Sequence, residues 1–181
     1  MNMDRENGFT LIEVLVTIVV VSILLAAGVP SFMDFIKNNR LSAQANSLVA
    51  AVQVTRNEAV KRGTGMVICA KDPDNVACSG DNNWTNGWIM FTDLDQDGAL
   101  DGDGSCTTTD DHNKKECVLR VVNAMQSNTL AGSNSIIQFK PDGTAAQTSI
   151  KLTAEDCKRQ QVRDITITGQ GHATIAKQDC P

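Results

Sequence analysis

The sequence GFTLIE at residues 8–13, and the apolar run VLVTIVVVSILLAAGVPSFM at residues 14–33, decide the fold of this chain. Glu13 is the one charged residue between Phe9 and Met33. About 20 apolar residues span a bilayer as a helix, so the run predicts a membrane helix. An ordinary signal peptide would have a basic start and a cleavage site after its apolar run. Here the expected processing point, Gly8-Phe9, precedes the run, so cleavage would leave the helix on the mature protein.

This N-terminus resembles the class III signal of type IV pilins, pseudopilins and their minor relatives. The family pattern is a short leader, Gly-Phe, a Glu four residues later and an apolar run, and here it falls on Gly8, Phe9 and Glu13. The resemblance implies that a prepilin peptidase removes Met1–Gly8 and that the new amine on Phe9 is methylated. A lone carboxylate in a membrane helix is costly unless it is paired. Glu13 is therefore expected to act in assembly, paired with the amino terminus of a neighbouring subunit.

Composition bounds the rest of the protein. A chain of 181 residues with one N-terminal anchor leaves about 120 residues for a single globular domain. The formal net charge of −5 argues against broad electrostatic binding of nucleic acid. Six cysteines in an anchored protein whose domain would sit in the periplasm or outside predict disulfides.

A second, amphipathic half is predicted to extend the membrane helix. Apolar residues recur at helical spacing from Phe32 to Val60, and Lys61-Arg62-Gly63 has the basic last turn and the glycine of a helix end. The predicted organisation is a cleaved leader at 1–8, a transmembrane and filament-core helix at 9–36, the amphipathic half of the same helix at 37–63, and a β-rich globular domain at 64–181.

Beyond Gly63, short apolar segments separated by turn residues predict strands. They lie near Met66–Ala70, Trp88–Thr92, Val118–Asn123, Ile136–Lys140, Ser149–Thr153, Asp164–Thr168 and His172–Ala176. The predicted fold class is α+β, with one long N-terminal helix packed on a mainly antiparallel β-sheet domain.

Four segments resemble the GspH/FimT/FimU-type globular domain of minor pilins and minor pseudopilins. They are Arg56–Gly63, Gly87–Asp93, Leu119–Val121 and Ile137–Gly143. The resemblance implies a minor pilin that joins other minor pilins and the major pilin to prime or cap a type IV pilus. Such a subunit is single-pass in the inner membrane with a periplasmic domain, and later part of the cell-surface pilus. A minor pseudopilin of a type II secretion system is the alternative, although an exposed fibre has more need of disulfide bracing.

DNA uptake, which FimT-type pilins can serve, is a further alternative. The DNA-binding signature of that family is Gly-Arg-x-Arg, and the corresponding stretch here is Gly169–His172, in which Gln170 and His172 replace the arginines. Arginines supply phosphate contacts, so we expect DNA binding to be weak or absent. The residues that would form a replacement basic patch are Lys158, Arg159, Arg163 and Lys177.

An acidic loop, from Asp93 to Asp103, follows the second predicted strand. Its side-chain oxygens recur at alternate positions, as in the first half of a calcium loop, with Gly98 at the sharp turn. Its candidate metal ligands are Asp93, Asp95, Asp97 and Asp101. The twelfth position is Gly104, where a calcium loop has a bidentate Glu, so a solvated turn is favoured over a site. Calcium is the ion these oxygens suit, and no other cofactor is expected.

The cysteines allow many connectivities. Sequential pairing closes three local loops and is the predicted one: Cys69–Cys78, Cys106–Cys117 and Cys157–Cys180. The sequence has no C-x-x-C and only two histidines, which disfavours zinc. It has no G-x-S-x-G, P-loop or H-E-x-x-H motif either, so no enzymatic activity is expected.

Overall fold

The computed structural model describes residues 9–102, 104–106, 115–125 and 127–181. Over these residues one helix is followed by eight strands: α1 (Leu11–Arg62), β1 (Gly65–Ala70), β2 (Gly87–Asp93), β3 (Val118–Asn123), β4 (Asn128–Gly132), β5 (Ile136–Phe139), β6 (Thr148–Ala154), β7 (Val162–Ile167) and β8 (Ala173–Gln178). The chain divides into two compact units, residues 1–38 and 39–181.

The first unit carries the N-terminal part of α1. The helix runs through Gly28 and Pro30 without interruption. Large apolar side chains between Leu11 and Ile36 are exposed along this part. It supplies the one helix of the described residues that is long and apolar enough, by length and composition, to cross a membrane.

The second unit contains two four-stranded sheets with the strand orders β3-β2-β1-β5 and β4-β6-β7-β8. Every pairing is antiparallel, which confirms the predicted fold class. Strand β4 and the division of the strands into two sheets were not predicted from the sequence. Strand β4, with the sequence NTLAG, has one large apolar residue, Leu130, and three residues of types that are depleted in strands (Asn, Ala and Gly), so its pattern is weak. The strand is defined by its pairing with β6, in which Leu130 lies opposite Leu152, and not by its own sequence pattern.

The main core lies between the C-terminal part of α1 and both sheets. Buried helix residues recur every three or four positions at Leu41, Ala45, Leu48 and Val52, which is the apolar stripe of an amphipathic helix. They share one cluster with Trp84, from the segment between β1 and β2, and with side chains from both sheets: Met66, Ile68, Trp88, Met90, Leu130, Ile150, Leu152, Ile165 and Ile167.

A second, smaller core lies on the other face of the β3-β2-β1-β5 sheet. Val67 and Cys69 of β1 pack there with Ile89 and Phe91 of β2, and Leu100 of the acidic loop covers them in part. Strands β1 and β2 are therefore buried on both faces. The acidic loop is part of this packing.

Three disulfides close local loops of the second unit, and they join the sequential pairs. The Cα–Cα distances are 5.6 Å for Cys69–Cys78, 5.5 Å for Cys106–Cys117 and 5.8 Å for Cys157–Cys180. The third disulfide ties the residue range after β6 to the end of the chain after β8.

Candidate assembly site and neighbouring surfaces

The two residues that the pilin signal singles out lie at the start of α1: Phe9 precedes the helix, and Glu13 is in its first turn. Phe9 is 82% exposed, and Glu13 is exposed in the first helical turn. Thr10 caps the helix, because the Glu13 N–H donates to the Thr10 hydroxyl at 3.3 Å. Thr10 and Glu13 have the spacing of a capping box. Gly8 lies outside the described residues.

Glu13 lies at the N-terminal end of the helix. The ion pairs between described residues are both made by Glu58, with Lys61 and Arg62, so Glu13 has none there. Around it are the exposed side chains of Leu11, Ile12 and Val14. Contiguous apolar surface of this extent marks a site of contact with lipid or protein. The site therefore offers an apolar surface with one carboxylate.

Arg56, in the RNEAVKRG segment, holds two turns of the domain against α1. Its Nε–H lies 3.1 Å from the carbonyl oxygens of Gly143 and Gln170, to which it donates. Gly143 lies in the turn between β5 and β6, and Gln170 lies in the turn between β7 and β8. A Cβ on Gly171, whose φ is +74°, would come 2.3 Å from the Gly143 carbonyl oxygen. In the stretch that corresponds to the DNA-binding signature, Gly171 is therefore closely packed, whereas Gln170 and His172 are exposed.

Replacing Arg56 with alanine is expected to lower the free energy of unfolding by about 1–2 kcal/mol, because two carbonyl groups lose a charged donor in a partly exposed setting. Chemical unfolding of the full-length protein in detergent, followed by far-UV circular dichroism, measures this. Arg40→Ala, at an exposed position of the same helix, is the matched control and should change stability by less than about 0.5 kcal/mol. Equal stability of the two variants would show that Arg56 does not hold the turns.

The proposed basic patch is only partly at the surface. Lys158, Arg159 and Lys177 are exposed, and the Arg159 carbonyl accepts a hydrogen bond from the Cys180 N–H at 2.9 Å. Arg163 is 3% exposed. The prediction that Arg163 belongs to a surface patch is wrong, because a buried guanidinium cannot contact phosphate.

Local hydrogen bonds satisfy part of the buried Arg163 guanidinium. Its Nη1 donates to the carbonyl oxygens of Gln160 and Val162, at 2.9 and 3.0 Å, and burial lowers the pKa of the guanidinium. Acidic residues also lie close in sequence to the exposed members of the patch, at Glu155, Asp156 and Asp179. The patch therefore carries mixed charge, which gives little attraction for a phosphate backbone.

The acidic loop brings three of its four candidate ligands together. One carboxylate oxygen from each of Asp93, Asp95 and Asp97 lies within 4.8 Å of the other two. Asp93 is fully buried, and its Oδ2 accepts hydrogen bonds from the Gly98 N–H at 3.2 Å and the Gln138 amide at 2.7 Å. Burial raises the pKa of the Asp93 carboxyl.

Glu116, which was not among the predicted site residues, holds this loop through hydrogen bonds. It is 5% exposed, and its carboxylate accepts the N–H groups of Leu94 and Asp101, each at 2.8 Å. Burial raises the pKa of the Glu116 carboxyl too. Asp101 therefore contacts Glu116 through its backbone N–H, and its carboxylate is not one of the three that lie close together. Glu116 is adjacent in sequence to Cys117, which is bonded to Cys106 near the loop. The predicted pairing of these cysteines was the signal in the sequence that could have placed Glu116 close to the loop.

A helix with an exposed apolar N-terminal part, a single acidic residue in its first turn and a second part that packs on antiparallel sheets defines the class of type IV pilin-like proteins. The chain belongs to the family described as type II transport protein GspH, whose model matches residues 44–171. The prokaryotic N-terminal methylation motif matches residues 3–29. The family predicted from the sequence is confirmed.

Individual relatives agree with this assignment. The chain is 33% identical over 85 residues to the type IV narrow pilus major component PilA5 of Thermus thermophilus, which covers 45% of this chain and 72% of that protein. Its fold is similar to that of the type IV minor pilin FimU of Pseudomonas aeruginosa, with a TM-score of 0.57 at 18% identity over 81% of this chain and 96% of FimU. A second crystal form of FimU gives a TM-score of 0.52 at 17% identity, over 77% and 96% of the two chains.

Proposed function

We propose that the protein is a minor pilin that enters a type IV pilus and acts with other minor pilins and the major pilin to prime or cap its assembly. The observation that carries this proposal is the exposed apolar part of α1 with Glu13 in its first turn. A surface of this kind needs a nonaqueous partner along its whole length. Lipid supplies that partner before assembly, and the helices of other subunits supply it in the filament.

Processing by a prepilin peptidase would prepare the helix for this exchange. Cleavage at Gly8-Phe9 leaves an amino group four residues before Glu13, and the methylation motif supports this position. Before assembly, the subunit is held in the inner membrane with its domain in the periplasm; afterwards it belongs to the cell-surface pilus. A carboxylate removed from water needs a cation, and the amino terminus of the neighbouring subunit provides it.

The type IV pilus is favoured over a type II secretion pseudopilus by two observations. The relative with 33% identity is described as a pilus component, and three disulfides brace the domain, as suits a fibre exposed outside the cell. The description of the matched family favours the secretion system, and a minor pseudopilin is therefore the second candidate. DNA uptake gains no support from the described residues, since the basic patch carries mixed charge.

Shearing of filaments from cells that produce an epitope-tagged copy tests the proposed function. The protein should appear in the filament fraction at a small fraction of the level of the major pilin, with a mature chain that begins at N-methylated Phe9. Deleting the major pilin gene should remove it from that fraction. A mature chain that begins after Val29 would contradict the pilin assignment. Absence from sheared pili, together with a secretion defect in the deletion strain, would establish the pseudopilin instead.

A further inference from the structure

We propose that the acidic loop binds one calcium ion through the carboxylates of Asp93, Asp95 and Asp97. One oxygen from each lies within 4.8 Å of the other two. Calcium–oxygen distances are about 2.3–2.6 Å, so oxygens on one ion are separated by at most about twice that length. The spacing already present is therefore compatible with a single ion that contacts all three.

The buried member of the group provides an independent indication of a ligand. Asp93 is fully buried, and its Oδ1 has no hydrogen-bond partner among the described residues. Its other oxygen accepts from Gly98 and Gln138, so the carboxylate is held in place with one oxygen left over. A buried carboxylate oxygen without a donor is unfavourable unless a cation meets it.

The charge around the loop also calls for a cation. Three carboxylates, from Asp93, Asp95 and Asp97, each bring an oxygen within 4.8 Å of the other two, and like charges this close repel one another. Glu116 adds a further buried carboxylate, and both of its oxygens accept backbone N–H groups of the loop. A divalent cation relieves the repulsion between these carboxylates.

The donor set selects calcium over other metals. All donors are oxygens, which excludes a preference for zinc or copper. Magnesium requires a near-octahedral arrangement with short distances, whereas calcium accepts irregular loop sites. Gly104 replaces the bidentate Glu of a full calcium loop, so the affinity should fall in the range of extracellular modules, about 10⁻⁴–10⁻³ M. Bound calcium would fix the acidic loop, including Leu100, on the outer face of β1 and β2.

Thermal unfolding of the full-length protein in detergent, with and without CaCl₂, tests the site. At about 10 mM calcium, the ratio of folded to unfolded protein should rise about ten- to a hundredfold, and the rise should saturate. Equilibrium dialysis with radioactive calcium should give one ion per chain. The double variant Asp95→Asn/Asp97→Asn keeps the side-chain acceptors of the exposed turn and removes two charges, and it should bind about tenfold more weakly or worse.

Asp74→Asn is the matched control, since it removes one exposed carboxylate elsewhere and should leave calcium binding unchanged. The variants Asp95→Asn and Asp97→Asn are preferred to changes at Asp93, which is buried and whose replacement can impair folding. Absence of a saturable calcium effect, or an equal effect in the double variant, would overturn the site. An equal stabilisation by MgCl₂ would overturn the assignment to calcium.

Discussion

Replacing Trp84 with alanine is expected to lower the free energy of unfolding by about 3–5 kcal/mol, the range for buried aromatic residues cut back to alanine. Trp84 is fully buried in the main core. Its indole N–H donates to the Asn134 carbonyl at 2.9 Å. A Cβ on Gly132 would lie 2.5 Å from the indole nitrogen, so the glycine at the end of β4 leaves the space that this ring occupies. The expected decrease in the free energy of unfolding therefore includes the cost of a cavity, the loss of a hydrogen bond and weaker packing of β4.

Chemical unfolding followed by far-UV circular dichroism measures this loss, since the signal does not depend on the deleted indole. Trp84→Phe separates the contributions: it keeps a ring and removes the hydrogen bond, so it should cost less than the alanine variant. Val76→Ala, at a position that is 50% exposed, is the control and should stay within about 0.5 kcal/mol of the parent. An unfolding midpoint for Trp84→Ala equal to that of Val76→Ala would show that the ring is not part of the core.

Features encoded by neighbouring residues could be predicted from the sequence. The apolar run, the helical spacing from Phe32 to Val60 and the basic residues before Gly63 predicted both ends of α1 to within a few residues. Its end is local too: Gly63 has a φ of 64°, and the N–H groups of Gly63 and Thr64 both donate to the Ala59 carbonyl. The αL glycine that ends a helix leaves a direct mark in the sequence.

Features that depend on distant residues could not be predicted. Arg56 reaches carbonyl groups 87 and 114 positions away, and no sequence pattern records backbone acceptors. Arg163 resembles a surface cation by residue type, and only the fold shows that it is buried. The Glu116 carboxylate accepts hydrogen bonds from two backbone N–H groups of the acidic loop, and these bonds form only when β2 and β3 pair. In each case the missing information is tertiary.

The role assigned to Glu13 has the largest functional consequence. Glu13→Ala is expected to reduce the amount of the protein in sheared pili by about tenfold or more, while its amount in the membrane and the cleavage at Gly8-Phe9 stay unchanged. A tenfold change corresponds to about 1.4 kcal/mol. Removing one partner of a buried, hydrogen-bonded charge pair costs about 2–5 kcal/mol. The loss of one such pair is therefore sufficient to produce the expected defect.

The helix itself should survive this substitution, because the hydrogen bond at its first turn uses the backbone N–H of residue 13 and the Thr10 hydroxyl. Quantitative immunoblots of the membrane and the sheared filament fractions give the ratio that matters. Asp34→Ala, which removes an acidic side chain from the same helix further along, is the control and should enter pili normally. Glu13→Gln distinguishes charge from shape, since it keeps the length of the side chain and should fail as Glu13→Ala does. Incorporation of either Glu13 variant at the level of the parent would show that the carboxylate is not the assembly contact, and the apolar surface alone would then have to account for entry into the filament.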